Sequence, residues 1–123
     1  PIAEDLEWGL EVLRAGHALA YAPAAAVRHS HERSALYELQ RTYLVHQRLH
    51  ALFGLQTIPT VPSLVRAITA TVPRHLRIAA GEPRGPVRAM VRGAALGIAW
   101  PLGQYLGARA SRDGRGYLRT GRV

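Results

Sequence analysis

The first side chains in this sequence with types and spacing suited to chemistry are two acids, Glu4 and Asp5, followed one turn later by Trp8. Residues 4–15 have the apolar spacing of a helix, so Asp5 is expected in the first helical turn. A carboxylate held there can remove a proton from a hydroxyl group, a role that typically contributes about 10²–10⁴-fold to a rate. The same position also suits simple stabilisation of the helix dipole, the ordinary role of an isolated acidic pair.

Two histidines, His29 and His31, form the second group of interest. They alternate along a segment that is expected to be extended, so both rings point to the same face. From the residues alone they are either ordinary surface histidines or a pair of metal ligands, and two histidines are insufficient to define a metal site. The sequence contains no cysteine, which excludes disulfides and thiolate chemistry.

Helices are expected to position these side chains. The first helix covers residues 4–15 and stops at Gly16, and a second is predicted for 34–52. Residues 17–31 lie between them and are predicted to form two short extended segments that bend at Pro23.

The second half of the chain is predicted to be helical with interruptions. A helix is expected from Ser63 to Val72, ending before Pro73. Residues 81–86 indicate a turn, and a further helical run over 87–108 is expected to break at its central proline.

An ordered series of short motifs connects the acidic pair to the histidines. The series comprises Glu4-Asp5-x-x-Trp8, Ala15-Gly16, Tyr21-x-Pro23, Ala26-Val27 and His29-Ser30-His31. In this order the motifs resemble the second half of the catalytic domain of family 2 glycosyltransferases, particularly the rhamnosyltransferase-like members, over about residues 2–50. The resemblance implies an α/β fold, namely the C-terminal fragment of a nucleotide-diphospho-sugar transferase domain of the GT-A type, mostly helical with one or two short strands.

The same resemblance implies catalytic roles for the acidic pair. Asp5 corresponds to the general base that takes the proton from the acceptor hydroxyl, which attacks the anomeric carbon and expels a nucleoside diphosphate with inversion. Glu4 is expected to orient this site or to contact the acceptor. Trp8 is expected to stack on a sugar ring of the acceptor, with a position in the apolar core as an equal alternative.

Metal and acceptor binding are also implied by the resemblance. His29 corresponds to a ligand of the divalent ion, Mg²⁺ or Mn²⁺, that stabilises charge on the donor diphosphate. His31 is expected either to support the metal site from behind this ligand or to contact the acceptor. Arg41 is expected in the acceptor cleft as part of Gln40-Arg41-x-Tyr43, although a solvated helix face is the more ordinary role of a single arginine.

A donor site is missing from the sequence. It contains no D-x-D motif and no Gly-rich phosphate loop before a helix. The expected partners, a nucleotide-sugar donor and a glycan or polyprenyl-linked acceptor, therefore belong to a longer enzyme, and the chain alone is predicted to be inactive. Rhamnose is the sugar expected from the resemblance, and the expected location is cytoplasmic, peripheral at the inner face of the plasma membrane.

Positive charge is concentrated in the second half. Residues 62–123 hold eleven arginines against Glu82 and Asp113, whereas residues 1–61 carry a net charge of −1. Basic amphipathic helices fit an anionic membrane surface, with an ordinary solvated surface as the alternative. The uncharged run 93–108 is too short to span a bilayer, which takes roughly 20 residues. A module that binds membrane or nucleic acid without catalysis is the competing function; nucleic acid is disfavoured because aromatic residues make up only 7% of the chain.

The sequence is accordingly divided into three parts. Residues 1–54 are predicted to be the C-terminal part of a catalytic domain, and residues 55–108 a basic helical extension. Residues 109–123 form a Gly/Arg-rich tail that is expected to be poorly ordered.

Overall fold

The computed structural model describes residues 4–26, 33–81 and 85–114, and about three quarters of these residues are helical. Four helices occur in these ranges: α1 (Glu4–Arg14), α2 (Ala35–Phe53), α3 (Val61–Ala80) and α4 (Pro86–Arg112). The longest helix, α4, packs against both α2 and α3 and is therefore the centre of the structure.

The predicted α/β fold is wrong: the ranges 4–26, 33–81 and 85–114 contain helices and no strand. Residues 17–26, where an extended segment was expected, contain only a turn at Pro23. An extended segment becomes a strand only when a neighbouring segment supplies ladder hydrogen bonds, and helices α2, α3 and α4 use their backbone groups internally. The remainder of the predicted extended region, residues 27–31, lies outside the described residues.

The ends of the first two helices are confirmed to within one residue. Helix α1 ends before Gly16, which has a φ of +83°. Helix α2 is capped by Ser34, whose side chain accepts a hydrogen bond from the Tyr37 backbone N–H, and it ends at Gly54 in the left-handed region. Both signals act within a few residues of the helix end, which explains why the sequence alone reveals them.

Helix α3 does not stop at Pro73 as predicted. It begins after Thr60, whose side chain and that of Ser63 cap each other's backbone N–H groups, and it continues through Pro73 to Ala80. The residues after the proline are held against α4: the His75 and Trp100 rings meet edge to face at 4.9 Å. Packing against α4 thus offsets the loss of the backbone hydrogen bond that Pro73 cannot donate.

Helix α4 also continues through its proline, contrary to the predicted break at Pro101. Proline has no N–H, so the carbonyl of Gly97 four residues earlier loses its partner within the helix. The Thr71 hydroxyl on α3 lies 2.6 Å from that carbonyl and 2.8 Å from the Ala67 carbonyl of its own helix, and it donates to the nearer of the two. A hydrogen bond from the neighbouring helix therefore replaces the missing one.

Glycines bring α4 very close to α2. A Cβ atom at Gly103 would lie 2.8 Å from Thr42 Cβ, and one at Gly107 would overlap the carbonyl oxygen of Tyr43. The contacting positions increase together along α2 and α4, so these two helices run parallel. Gly93 of α4 lies against His75 of α3 and Gly97 against Val72, so α3 runs antiparallel to α4. These contacts join backbone to backbone and do not depend on large buried side chains.

The apolar core is small. Its buried residues are Ile58, Leu64 and Tyr105, with Ile68 and Leu102 packed beside them. Many large apolar side chains elsewhere on the described helices remain partly exposed. The domain therefore depends on close helix contact more than on a voluminous interior.

Candidate functional site

Helix α1 presents the candidate catalytic acids to solvent. Glu4 and Asp5 occupy its first turn, and both residues are exposed. Trp8 lies three residues after Asp5 and therefore on the same side of the helix, where it is 63% exposed. An accessible carboxylate beside an accessible indole is an arrangement that suits a hydroxyl-bearing ring, with the indole available for stacking.

The opposite side of α1 is attached to α2. Glu7 forms an ion pair with Arg48, and the Arg48 side chain is largely buried. Two residues of helix turn the direction of a side chain by about 200°, so Glu7 points away from the direction of Asp5. Gly9 is also buried, with Leu19 of the following segment against it. The attachment of α1 thus leaves its Asp5 side free.

Arg41 lies on the side of α2 that α1 approaches. It is exposed, and it precedes Arg48 by seven residues, which is nearly two full helical turns. Among the described residues, Arg41 forms no ion pair with Asp5. The contacts of the described residues therefore do not join Arg41 to Asp5, and the role of Arg41 stays a prediction.

The histidines of the predicted metal and acceptor sites, His29 and His31, lie outside the described residues. Within the described ranges, no group of three or more His, Cys, Asp or Glu side chains is arranged to hold a metal ion. Binding of Mg²⁺ or Mn²⁺ by His29 stays a prediction.

An open groove of about 460 Å³ lies between α2 and α4, lined by Leu39, Gln40, Tyr43, Leu44 and Leu106. Its lining is mostly apolar, and two of its members belong to the Gln40-Arg41-x-Tyr43 motif. Arg41, the residue of that motif predicted to bind the acceptor, is not among these lining residues, so its acceptor role stays a prediction.

Two further polar sites were not predicted from the sequence. His46 lies partly buried on α2, and its Nδ1 atom is buried without a hydrogen-bond partner among the described residues. Desolvation lowers the pKa of the ring. His50 Nδ1 lies 3.1 Å from Ser111 Oγ, beside an open cavity of about 400 Å³. The two residues are 61 positions apart, so no local spacing could have indicated the pair.

The pair of His50 and Ser111 is poorly placed for nucleophilic catalysis. Ser111 lies in the last turn of α4, where a helix presents carbonyl oxygens and the negative end of its dipole. An oxyanion intermediate requires the opposite, namely free N–H donors. The hydrogen bond between His50 and Ser111 therefore serves to fasten the end of α4 to α2.

No family model, curated protein or solved structure matches this chain. The resemblance to family 2 glycosyltransferases stays a prediction that rests on the motif series within residues 4–31.

Proposed function

We propose that this chain supplies the acceptor-activating part of an inverting family 2 glycosyltransferase, with Asp5 as the general base. The observation that carries the proposal is the exposed Asp5 carboxylate in the first turn of α1, with the exposed Trp8 indole on the same side. A base must reach the proton that it removes, and an acid used only to stabilise a helix needs no neighbouring aromatic surface.

The proposed step moves one proton and one glycosyl group. An Asp5 carboxylate oxygen takes the proton of an acceptor hydroxyl while that oxygen forms a bond to the anomeric carbon of the donor. The bond from the anomeric carbon to the nucleoside diphosphate breaks, and its electron pair leaves with the phosphate oxygen. Trp8 holds the acceptor ring against α1, Glu4 borders the same site, and Arg41 is available for a phosphate of a polyprenyl-linked acceptor.

The donor site lies outside this sequence in the proposal. The sequence has no D-x-D motif, so the nucleotide sugar and most ligands of a divalent ion must come from additional polypeptide. His29 is the residue of this chain that would contribute to such an ion. Rhamnose remains the proposed sugar, on the wording of the acidic and histidine motifs.

The test compares two preparations: the 123-residue chain and the product of the longest reading frame that contains it. Each is incubated with nucleotide-activated rhamnose and a polyprenyl-linked saccharide, and release of nucleoside diphosphate is measured. We expect turnover only by the longer product, and a loss of about 10²–10⁴-fold for Asp5→Asn.

Glu11→Gln is the matched control, because it removes one negative charge from an exposed position of the same helix. It is expected to leave turnover within about twofold, since surface charges this far from a reacting group are well screened. Turnover by the short chain, no turnover by the longer product, or full activity of the Asp5→Asn variant would contradict the proposal.

A further inference from the structure

The end of the molecule where α3 finishes and α4 begins, the hairpin tip (residues 74–81 and 85–92), exposes an unusual amount of apolar surface. Ile78 is 68% exposed, Val87 74% and Val91 67%, and Met90 is also exposed. These side chains come from two antiparallel helices and lie within about two turns of the end at which the helices are connected. Isolated apolar residues are normal on a protein surface, but a concentration of them marks a site of contact.

Arginines surround these apolar side chains. Arg74, Arg77, Arg88 and Arg92 are all exposed. The sequence 74–92 contains five arginines against the single acid Glu82. The tip therefore combines apolar surface with strong positive charge, and the described part of the tip contains no acid that would neutralise it.

The start of α2 adds to the same end of the molecule. Arg92 donates a hydrogen bond of 3.2 Å to the backbone carbonyl of Arg33, whose own guanidinium lies over the Tyr37 ring. Leu36, at the beginning of α2, is also exposed. Basic and aromatic side chains at the start of α2 thus lie at the same end of α4 as the hairpin tip.

We propose that the hairpin tip docks on a bilayer of anionic phospholipid, with its apolar side chains in the interfacial region and its arginines on the headgroup phosphates. Apolar insertion together with Lys or Arg contacts to anionic lipid is the usual chemistry of peripheral attachment. A nucleic acid would use the arginines but would leave the Ile78, Val87 and Val91 side chains in water. Within the described residues no helix is long and apolar enough to cross a membrane.

The proposal is tested by sedimentation of the chain with large vesicles of phosphatidylcholine that contain one third phosphatidylglycerol, or none, at about 0.1 M salt. We expect strong binding to the anionic vesicles and weak binding to the neutral ones. The double variant Arg77→Gln/Arg88→Gln is expected to lower partitioning about 30-fold, from the usual contribution of each arginine near a charged membrane. The double variant Ile78→Ser/Val91→Ser is expected to lower it at least about tenfold.

Arg66→Gln/Val65→Ser is the matched control, since both residues are exposed on α3 about two turns before the tip. Its partitioning to anionic vesicles is expected to stay within about twofold of that of the unaltered chain. Circular dichroism of every variant checks that helix content is retained. Failure to bind anionic vesicles would overturn the proposal, as would equal binding to neutral vesicles or an equal loss in the control.

A second readout separates the membrane from other anionic partners. Fluorescence anisotropy with a short DNA oligonucleotide is measured for the same variants. DNA binding tighter than vesicle binding, lost with the arginines but unaffected by Ile78→Ser/Val91→Ser, would overturn the membrane proposal in favour of nucleic acid. This proposal does not depend on Asp5 chemistry, because the tip variants leave α1 intact.

Discussion

Helix α1 and the body formed by α2, α3 and α4 are built in different ways. In the body, glycine residues let α4 approach α2 and α3 until backbone atoms touch. In α1 Gly9 is buried and Leu10 and Val12 are partly buried, and the helix is tied to the body through the ion pair of Glu7 with Arg48. The residues suited to chemistry lie on the loosely attached helix, and the precise packing lies elsewhere.

Substitutions in the two regions should therefore have different effects. A change in the body should alter stability because a close-packed contact has no room to adjust. A change on the exposed side of α1 should alter any reaction at Asp5 while leaving the fold almost unaffected. The following substitutions test that separation, beginning with the largest expected effect.

Gly107→Ala should be the most destabilising substitution. The added methyl group would overlap the Tyr43 carbonyl oxygen, so α2 and α4 must move apart along their whole contact. We expect a loss of about 3 kcal/mol in the free energy of unfolding, measured by urea denaturation.

Gly81→Ala provides the comparison for that experiment. A Cβ atom there would lie 3.5 Å from the Ile78 carbonyl oxygen, an ordinary contact, and the residue has a helical φ of −82°. The stability should change by less than about 1 kcal/mol. Equal effects at the two positions would show that α2 and α4 are not closely packed.

Thr71→Val should have the next largest effect. It keeps the side-chain shape but removes the hydroxyl that bonds to the Gly97 carbonyl, which Pro101 has left without a partner in α4. A part-buried carbonyl without a donor costs about 1–3 kcal/mol. Thr69→Val is the control, because the Thr69 hydroxyl bonds only within α3 and is exposed. The free energy of unfolding of both variants is measured by urea denaturation. A similar, small change in the two would contradict a stabilising hydrogen bond from Thr71 to the Gly97 carbonyl.

His46 should make the stability of the body depend on pH. Desolvation lowers the pKa of His46 below the ordinary value of 6.5, so the unfolded chain takes up a proton that the folded chain excludes. The free energy of unfolding is therefore fully retained above pH 6.5 and decreases as the pH falls below it. His46→Gln should flatten this dependence in denaturation curves collected across the acid range.

His17→Gln is the control for that measurement, since His17 is exposed in the segment after α1. The acid-dependent loss of stability should persist in this variant. If the His46→Gln variant loses as much stability in acid as the unaltered chain does, groups other than His46 cause the loss.

Glu7→Gln should have the smallest effect on stability. The Glu7 side chain is 45% exposed, so solvent screens its ion pair with Arg48. We expect a change of about 0.5 kcal/mol in the free energy of unfolding, while the melting temperature of α2, α3 and α4 stays the same. A large change would mean that α1 is an integral part of the body.

The sequence revealed the local features of this fold and missed those that depend on distant residues. Ser34, Gly16 and Gly54 act on the helix ends beside them, so those boundaries could be predicted. The continuation of α4 through Pro101 depends on Thr71, a residue of a different helix, and no local pattern indicates it. The predicted strands needed a neighbouring sheet, which the described helices do not provide.

The candidate site was predictable to a similar extent. The spacing of Asp5 and Trp8 correctly indicated one side of a helix, because helical periodicity is a local property. The orientation of that side toward solvent could not be predicted, since it depends on the ion pair between Glu7 and Arg48. His46 and the pair of His50 with Ser111 were missed for the same reason: burial and long-range contacts set their environment.

Hydrogen exchange of the intact chain, resolved by residue, tests the separation between α1 and the body most directly. Amides in the middle of α4 should exchange only through global unfolding, because α2 and α3 both pack against that helix. Amides of α1 should exchange much faster, through local opening that breaks the Glu7–Arg48 pair. Equal protection in α1 and α4 would show that α1 belongs to the same cooperative unit, and would contradict the loose attachment of the helix that contains Asp5.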